Sequence, residues 1–282
     1  MVAPGSVRAR RAALPAPLAP VAVLLGVAAM AAMRTVLMTL AARGVGFGLR
    51  PMLLVSEVLL VVPGLALVAL VGAPFRGALA LRPLPARTVA LALGAGITLW
   101  GASLGLFALQ YLVWPPPDGY LEAFRQIHDA LRPKGPADAL LSITAIALVP
   151  ALCEETLFRG IVLGSLRTAL RAAPALGLSA FLFAMIHIDL TPGGPPVAYR
   201  VPFAFAVGLA LGALRLRTGS LAAPALAHGL LNAVTFLVVL LADDPAGETD
   251  PGPLLGVSLF IAGTAGTLLL LRALPRSDPP MS

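Results

Sequence analysis

Long apolar runs separated by short polar segments dominate the chain. An α-helix needs about 20 residues to cross the hydrocarbon core of a bilayer. Runs close to that length can be counted eight times, at residues 18–42, 52–72, 89–114, 139–166, 174–190, 201–214, 219–242 and 254–271. The pattern predicts an all-α fold, a polytopic membrane helical bundle of about eight transmembrane helices. The fifth and sixth runs are the shortest of the set.

A shorter amphipathic pattern lies between the third and fourth runs. Leu121, Phe124, Ile127 and Leu131 recur at helical spacing with charged residues between them. This periodicity predicts one short amphipathic interfacial helix that lies on the membrane surface. His128 belongs to that segment and, as an exposed polar residue, is expected to be inert.

The composition excludes an ordinary soluble domain, because 59% of the 282 residues are hydrophobic and only 12% are charged. The net charge of +7 does not indicate nucleic-acid binding, because the cations gather at the two termini and in alternate loops. Twelve arginines lie on that side: Arg8, Arg10, Arg11, Arg76, Arg82, Arg87, Arg167, Arg171, Arg215, Arg217, Arg272 and Arg276. Cytoplasmic loops are enriched in Lys and Arg. We therefore predict a multi-pass protein of the cell (inner) membrane with cytoplasmic N- and C-termini, in contact with the lipid bilayer and with no nucleic acid.

Polar boundaries divide the chain into four predicted regions. Residues 1–17 form a basic cytoplasmic N-terminus, and residues 18–137 form helices 1–3 and the external amphipathic segment. Residues 138–242 form a core of helices 4–7, and residues 243–282 form an external acidic loop, helix 8 and a cytoplasmic tail. The single cysteine, Cys153, excludes an intrachain disulfide and a cysteine-based metal cluster.

Two opposite charges lie inside the first two predicted helices. Arg34 is 16 residues from the cytoplasmic end of its run and Glu57 is 15 residues from the cytoplasmic end of the next. At ~1.5 Å rise per residue their depths agree closely. An unpaired charge inside a bilayer is costly, so we predict that the two residues pair across the helices in a structural role. Substrate binding is the alternative role for this pair.

A denser group of polar residues falls on three later runs. Glu154, Glu155 and Arg159 lie on the fourth run, His187 on the fifth, and His228 with Asn232 on the seventh. Counted from the cytoplasmic ends, Glu154, His187 and His228 lie about 18, 20 and 14 Å deep at 1.5 Å per residue. These depths allow one shared site if the helices tilt modestly.

The residue types in this group suit hydrolysis. A carboxylate and an imidazole that face one water make a general base, while a second imidazole and a carboxamide can donate hydrogen bonds to an oxyanion. Glu155 and Arg159 are i,i+4 and are expected to pair, which leaves Glu154 as the working base. Pro150 lacks a backbone donor and should free the Ile146 carbonyl.

The motifs Glu-Glu-x-x-x-Arg at Glu154, Phe-x-x-x-His at Phe183 and His-x-x-x-Asn at His228 resemble those of the CAAX protease and bacteriocin-processing family. This family of intramembrane proteases includes the type II CAAX prenyl endopeptidases, and the resemblance covers residues 138–240. It implies that Glu154 and His187 activate a water, that His228 and Asn232 stabilise the oxyanion, and that Glu155 and Arg159 support Glu154. The implied partner is a membrane-embedded protein or peptide substrate.

The resemblance leaves the need for a metal open. Members of the family are often labelled metalloproteases, and Glu154, His187 and His228 are the residues that would bind zinc. The sequence has no His-Glu-x-x-His, the motif of the common zinc peptidases. We therefore favour a glutamate-type mechanism with no cofactor.

Other readings of the same polar residues stay open. A structural network of hydrogen bonds between helices would need no chemistry, although six polar groups at matched depth are more than such a network requires. Intramembrane carboxylates and histidines also serve proton-coupled transporters. The third alternative is a non-proteolytic membrane binding or immunity protein.

Overall fold

The computed structural model describes residues 13–189, 196–241 and 252–275. Within these ranges the chain is helical apart from its loops and one antiparallel bridge between Asp189 and Val197. The helices are α1 (Leu18–Ala42), α2 (Leu49–Leu70), α3 (Phe75–Ala78), α4 (Ala86–Val113), α5 (Tyr120–Leu131), α6 (Pro136–Ile143), α7 (Val149–Glu155), α8 (Leu163–Leu166), α9 (Ala172–Met185), α10 (Val201–Thr218), α11 (Ala222–Leu241) and α12 (Gly252–Ala273).

Seven helical stretches in the described residues are long and apolar enough to cross a membrane. They are α1, α2, α4, the combined stretch Pro136–Leu166, α10, α11 and α12. The predicted all-α membrane bundle is confirmed. The fifth predicted run is the exception, because α9 has only 14 residues and ends at Met185 instead of continuing to position 190. A helix of that length falls short of the ~20 residues that a full crossing needs.

Other boundaries differ by smaller amounts. Helix α10 continues past position 214 to Thr218, so that Arg215 and Arg217 lie in its last turn, where long basic side chains can reach the membrane surface. It ends at Gly219, whose φ of 65° suits a glycine at a helix C-terminus. The short helix α3 was not predicted. Helix α5 matches the predicted amphipathic segment.

The fourth membrane-spanning stretch, Pro136–Leu166, is interrupted by two π-helical segments. Thr144–Leu148 and Thr156–Val162 flank the seven residues of α7, which carry both glutamates of the first motif. The first segment ends two residues before Pro150, whose missing backbone donor favours such a departure from α-helical hydrogen bonding. Single π turns inside helices occur often at functional sites.

Small residues let the helices approach closely, as transmembrane helices commonly do. A methyl group on Gly105 of α4 would overlap the backbone of α12 at Gly256 and Phe260. In the core, a methyl group on Gly208 of α10 would lie 3.1 Å from the Cα of Ala180 in α9. The first contact brings α4 against α12, and the second brings α10 against α9 next to the polar residues.

Several predicted features lie outside the described residues. They comprise most of the basic N-terminus with Arg8, Arg10 and Arg11, the loop at 190–195, the acidic loop with Asp243, Asp244, Glu248 and Asp250, and the tail with Arg276.

Candidate active site

The centre of the candidate site is a buried ion pair within one helical stretch. The exposed fractions of Glu155 and Arg159 are 0% and 1%, and Arg159 Nη1 donates to Glu155 Oε1 at 2.9 Å. This is the pair that the i,i+4 spacing predicted. Arg159 Nη2 also donates to the Gly208 carbonyl on α10 at 3.2 Å. Gly208 therefore has two roles: it lets α10 approach closely, and its carbonyl accepts a hydrogen bond from Arg159.

His228 joins this pair from α11. Its Nδ1 lies 2.9 Å from Glu155 Oε1, and because a carboxylate only accepts hydrogen bonds, Nδ1 carries the proton. The other ring nitrogen, Nε2, lies 3.8 Å from Glu154 Oε2, beyond hydrogen-bonding distance. Glu155 thus orients the imidazole so that its free nitrogen faces the neighbouring carboxylate.

The contacts of Glu155 and Arg159 differ from what the family resemblance implied. We expected the two residues to support Glu154. Instead the hydrogen bonds of Glu155 run to Arg159 and to His228, which makes a chain of guanidinium, carboxylate and imidazole. Glu154, the adjacent residue, lies on the far side of His228 from that chain and is 8% exposed.

His187 is placed by a turn and not by a helix. The prediction that His187 lies within the helix of the fifth apolar run is wrong in detail, because α9 ends two residues before His187. The histidine is nevertheless fixed, since its Nδ1 lies 2.8 Å from the Phe183 carbonyl. A carbonyl accepts and does not donate, so His187 Nδ1 carries the proton and Nε2 is left with a lone pair.

The ring of Phe183 holds the three motifs together. Its centroid lies 4.7 Å from that of His187 and 6.0 Å from that of His228. Arg159 Cζ lies 4.3 Å from the same ring centroid, in the range of a cation–π contact. Phe183 was predicted only as part of a motif, and its position against all three motifs was not predicted.

Asn232 meets the backbone carbonyl that Pro150 leaves without its helical donor. Asn232 Nδ2 lies 3.5 Å from the Ile146 oxygen, at the long limit of a hydrogen bond. A carboxamide nitrogen has two N–H groups, so one N–H of Asn232 remains available to a ligand. The predicted release of the Ile146 carbonyl therefore explains how this asparagine is positioned.

A polar and aromatic cluster lies directly beyond His187. Asp189 accepts hydrogen bonds from Arg200 Nη2 at 2.5 Å and from the Tyr120 hydroxyl at 3.0 Å. Burial raises the pKa of Tyr120 above its ordinary value, so the hydroxyl remains a donor at neutral pH. The ring of Tyr199 packs edge-on against Tyr120 at 5.3 Å and against Trp114 at 5.7 Å. Helix α5 thereby covers the predicted external side of the site.

A cleft of about 740 Å³ lies beside the site and not within it. Leu152 of α7 and Ala225 of α11 form its inner wall, and Arg76 and Arg82 are among its lining residues. Leu152 is two residues from Glu154, and Ala225 is three residues from His228. The cleft therefore reaches the two helices that carry the chemistry, at the exposed side chain of Leu152 on α7.

The structure brings five of the six predicted residues into one connected group. Some touch directly, and His187 is joined through the ring of Phe183. Glu154, Glu155, Arg159 and His228 are linked by the distances given above, and His187 is joined through the Phe183 ring. Asn232 lies on α11 one turn beyond His228 and contacts the stretch before α7. In the described residues, no three His, Cys, Asp or Glu side chains are grouped so that they could hold a metal ion.

Comparison with known proteins bears on this same segment. The family described as type II CAAX prenyl endopeptidase Rce1-like matches residues 136–234. The chain resembles the CAAX endopeptidases. The match begins with α6 and ends in α11, and it contains all six candidate residues. The resemblance inferred from the three motifs is confirmed, and with the seven apolar helices it identifies a multi-pass membrane protein similar to intramembrane CAAX proteases. No curated protein and no solved structure matches the chain.

Proposed function

We propose that this protein is an intramembrane endopeptidase that hydrolyses a peptide bond of a membrane-associated protein or peptide. The observation that carries the proposal is the convergence of Glu154 and His228, whose carboxylate and Nε2 atoms lie 3.8 Å apart. A gap of that size is too long for a direct hydrogen bond but is suited to a bridging water. The match to the CAAX endopeptidases over the same residues supports this reading.

Glu154 acts as the general base in the proposed reaction. Its carboxylate takes a proton from a water while the water oxygen bonds to the carbonyl carbon of the substrate. His187, with its Nε2 lone pair free, holds the second side of that water. When the C–N bond breaks, the proton held by Glu154 passes to the leaving nitrogen, and the products are a carboxylic acid and an amine.

The oxyanion of the tetrahedral intermediate needs donors that are fixed before the reaction. Asn232 provides one N–H, since its other N–H contacts the Ile146 carbonyl. His228 in its imidazolium form provides a second donor from Nε2. Glu155 and Arg159 act as positioning residues, because they hold the ring of His228 through Nδ1 and do not reach the reacting atoms.

The substrate enters from the bilayer in this proposal. The cleft along Leu152 and Ala225 is almost entirely apolar, and Arg76 and Arg82 give it a positive rim. An apolar segment followed by an anionic group would suit this surface. By the distribution of arginines, the rim lies on the cytoplasmic side of the inner membrane, with both termini on that same side.

The test is cleavage of membrane-embedded candidate substrates by purified wild type and Glu154→Gln. A general base contributes about 10²–10⁴-fold to rate, so we expect a loss of that size with an unchanged melting temperature. Glu122→Gln is the matched control, because it makes the same change at a carboxylate of α5 that, within the described residues, bonds to its neighbours Arg125 and Gln126. It should keep full activity.

The same experiment distinguishes the other readings. Activity that survives exhaustive chelation supports the glutamate-type mechanism. Activity lost on chelation and restored by zinc contradicts it. If wild type and Glu154→Gln both fail to cleave, while wild type moves a solute in response to a proton gradient, the endopeptidase proposal is wrong and a transporter is favoured.

A further inference from the structure

A third glutamate of the membrane region, Glu57 on α2, is not part of the three motifs. The buried residues of α2 are Leu60, Val61, Gly64 and Val68, and Glu57 falls on the same face because 57, 60, 61, 64 and 68 follow the helical repeat. Its Oε2 atom is buried and has no hydrogen-bond partner in the described part of the chain. Buried polar atoms nearly always have a partner, so this oxygen calls for an explanation.

The packing of α2 shows what Glu57 lies beside. Near its beginning, Arg50 Nε donates to Ser142 at 2.7 Å. Two turns beyond Glu57, a methyl group on Gly64 would lie 3.0 Å from Ile161 and 3.1 Å from Leu157. The helix therefore runs parallel to the Pro136–Leu166 stretch. Glu57, midway between these two contacts, comes to the level of α7.

The neighbours at that level are the residues of the first motif. Glu57 interacts electrostatically with Glu154 and with the Cys153 thiol. The sequence places Arg34 of α1 at a similar depth. The other charged or titratable groups on elements that pack against α2 are Glu155 of α7, Arg159 in the π-helical segment that follows it, Arg76 of α3, and Tyr120, Glu122, Arg125, His128 and Asp129 of α5.

We propose that Glu57 is a further positioning residue of the active site, a carboxyl group that holds one proton and donates it in a hydrogen bond toward Glu154. The inference rests on the proposed function for its role and on the packing of α2 for its geometry. Two carboxylates in a low-dielectric site do not both ionise readily. A proton held on Glu57 lets Glu154 stay ionised as the base. It also explains why a glutamate oxygen without a hydrogen-bond partner is buried at this position.

A pair that shares a proton titrates as a unit, in two steps that lie on either side of the single step of either member alone. The first measurement needs no substrate. The infrared bands of buried carboxyl groups are followed against pH for the purified protein in lipid nanodiscs. We expect two separated steps in wild type and one intermediate step in Glu57→Leu, an apolar change that suits a membrane helix.

Matched variants separate this role from a general disturbance of α2. Ser56→Ala alters the adjacent residue, whose hydroxyl donates to the Met52 carbonyl of its own helix, and should keep both steps. Glu57→Gln retains a neutral donor but no titrating group, and should leave a single step. If Glu154 titrates at the same pH in wild type and in Glu57→Leu, the proposal is wrong. It is also wrong if Arg34→Leu shifts the titration of Glu57 and Glu154→Gln does not.

The second measurement is the pH profile of cleavage. Loss of the donor should make Glu154 harder to ionise, so Glu57→Leu moves the acid limb of kcat/KM to higher pH, by about one unit. Glu57→Gln can still donate and should keep the acid limb in place. If wild type cleaves nothing, the proposed function fails while the carboxyl titration still decides whether Glu57 and Glu154 are coupled.

Discussion

Two of the arginine–carboxylate clusters, one at Arg159 and one at Arg50, tie helices together and differ mainly in burial. In the first, Arg159 and Glu155 are almost fully buried. They join α10 and α11 to the Pro136–Leu166 stretch. In the second, Arg50 on α2 donates to Asp138 at 3.1 Å and to Ser142 at 2.7 Å on α6. The side chains of Arg50 and Asp138 are 17% and 29% exposed, so water and lipid headgroups can replace part of what each loses.

The difference in burial decides what each cluster can do. A buried charge is tolerated only while its partner is present, so Glu155 and Arg159 depend on each other. The second contact of Glu155, with His228 Nδ1, orients the imidazole and buries no additional charge. The cluster of Arg50, Asp138 and Ser142 is partly exposed, so its charges depend less on each other. It aligns the start of α2 with the start of α6, and this alignment is what carries Glu57 to the level of α7.

Arg159→Ala is expected to show the largest effect. It leaves the Glu155 carboxylate buried without its cation, and removal of one partner of a buried pair costs about 3–5 kcal/mol. Thermal unfolding in detergent should show a large fall in melting temperature together with loss of cleavage.

The double variant Glu155→Leu/Arg159→Leu is the control for that change. Replacement of both partners by apolar residues removes the uncompensated charge, so it should recover much of the stability and remain inactive, because His228 has lost its acceptor. Equal instability in the single and double variants would show that lost packing, and not an uncompensated charge, causes the fall in melting temperature.

Asp138→Asn should have a small effect. Exposed or partly exposed ion pairs contribute about 0–1 kcal/mol, and an asparagine oxygen can still accept from Arg50. We expect a melting temperature within a few degrees of wild type, an estimate that follows from about 1 kcal/mol in a domain of this size, and unchanged kcat/KM. A loss as large as that of Arg159→Ala would overturn the distinction between the two clusters.

His128→Ala is expected to have the smallest effect. The histidine lies on α5, and its Nδ1 bonds to the Phe124 carbonyl of the same helix at 2.8 Å, a contact within one helix. Cleavage should be equal to that of wild type. If His128→Ala is expressed normally but does not cleave, α5 contributes a residue to catalysis and the site assignment is wrong.

The sequence was most informative where the signal is periodic or chemically unusual. All eight apolar runs and the amphipathic α5 correspond to helices, and seven of the runs are long enough to cross a membrane, since length and hydropathy alone determine whether a segment suits the bilayer. The motif residues were found for a related reason, because charge inside an apolar run has few structural uses. The i,i+4 spacing also predicted the contact between Glu155 and Arg159, as this contact lies within one helix.

Contacts between helices were harder to predict. Depth counting placed His228 near the glutamates, but it did not tell which carboxylate would bind Nδ1. That choice follows from the rotation of α11 against α7, which depends on packing. Counting also took His187 to be helical, although the 14-residue α9 ends before it. A single sequence does not tell where a short apolar helix gives way to a turn.

By itself, the sequence determined that this chain is a membrane bundle with a hydrolase-like group of residues similar to those of CAAX endopeptidases, because hydropathy, spacing and side-chain chemistry are properties of the chain. Tertiary structure alone decided that Glu155 orients His228, that Phe183 joins the three motifs, and that Glu57 lies at the level of Glu154. Each of these depends on the rotation and register of one helix against another, which side-chain packing sets and which local sequence does not encode.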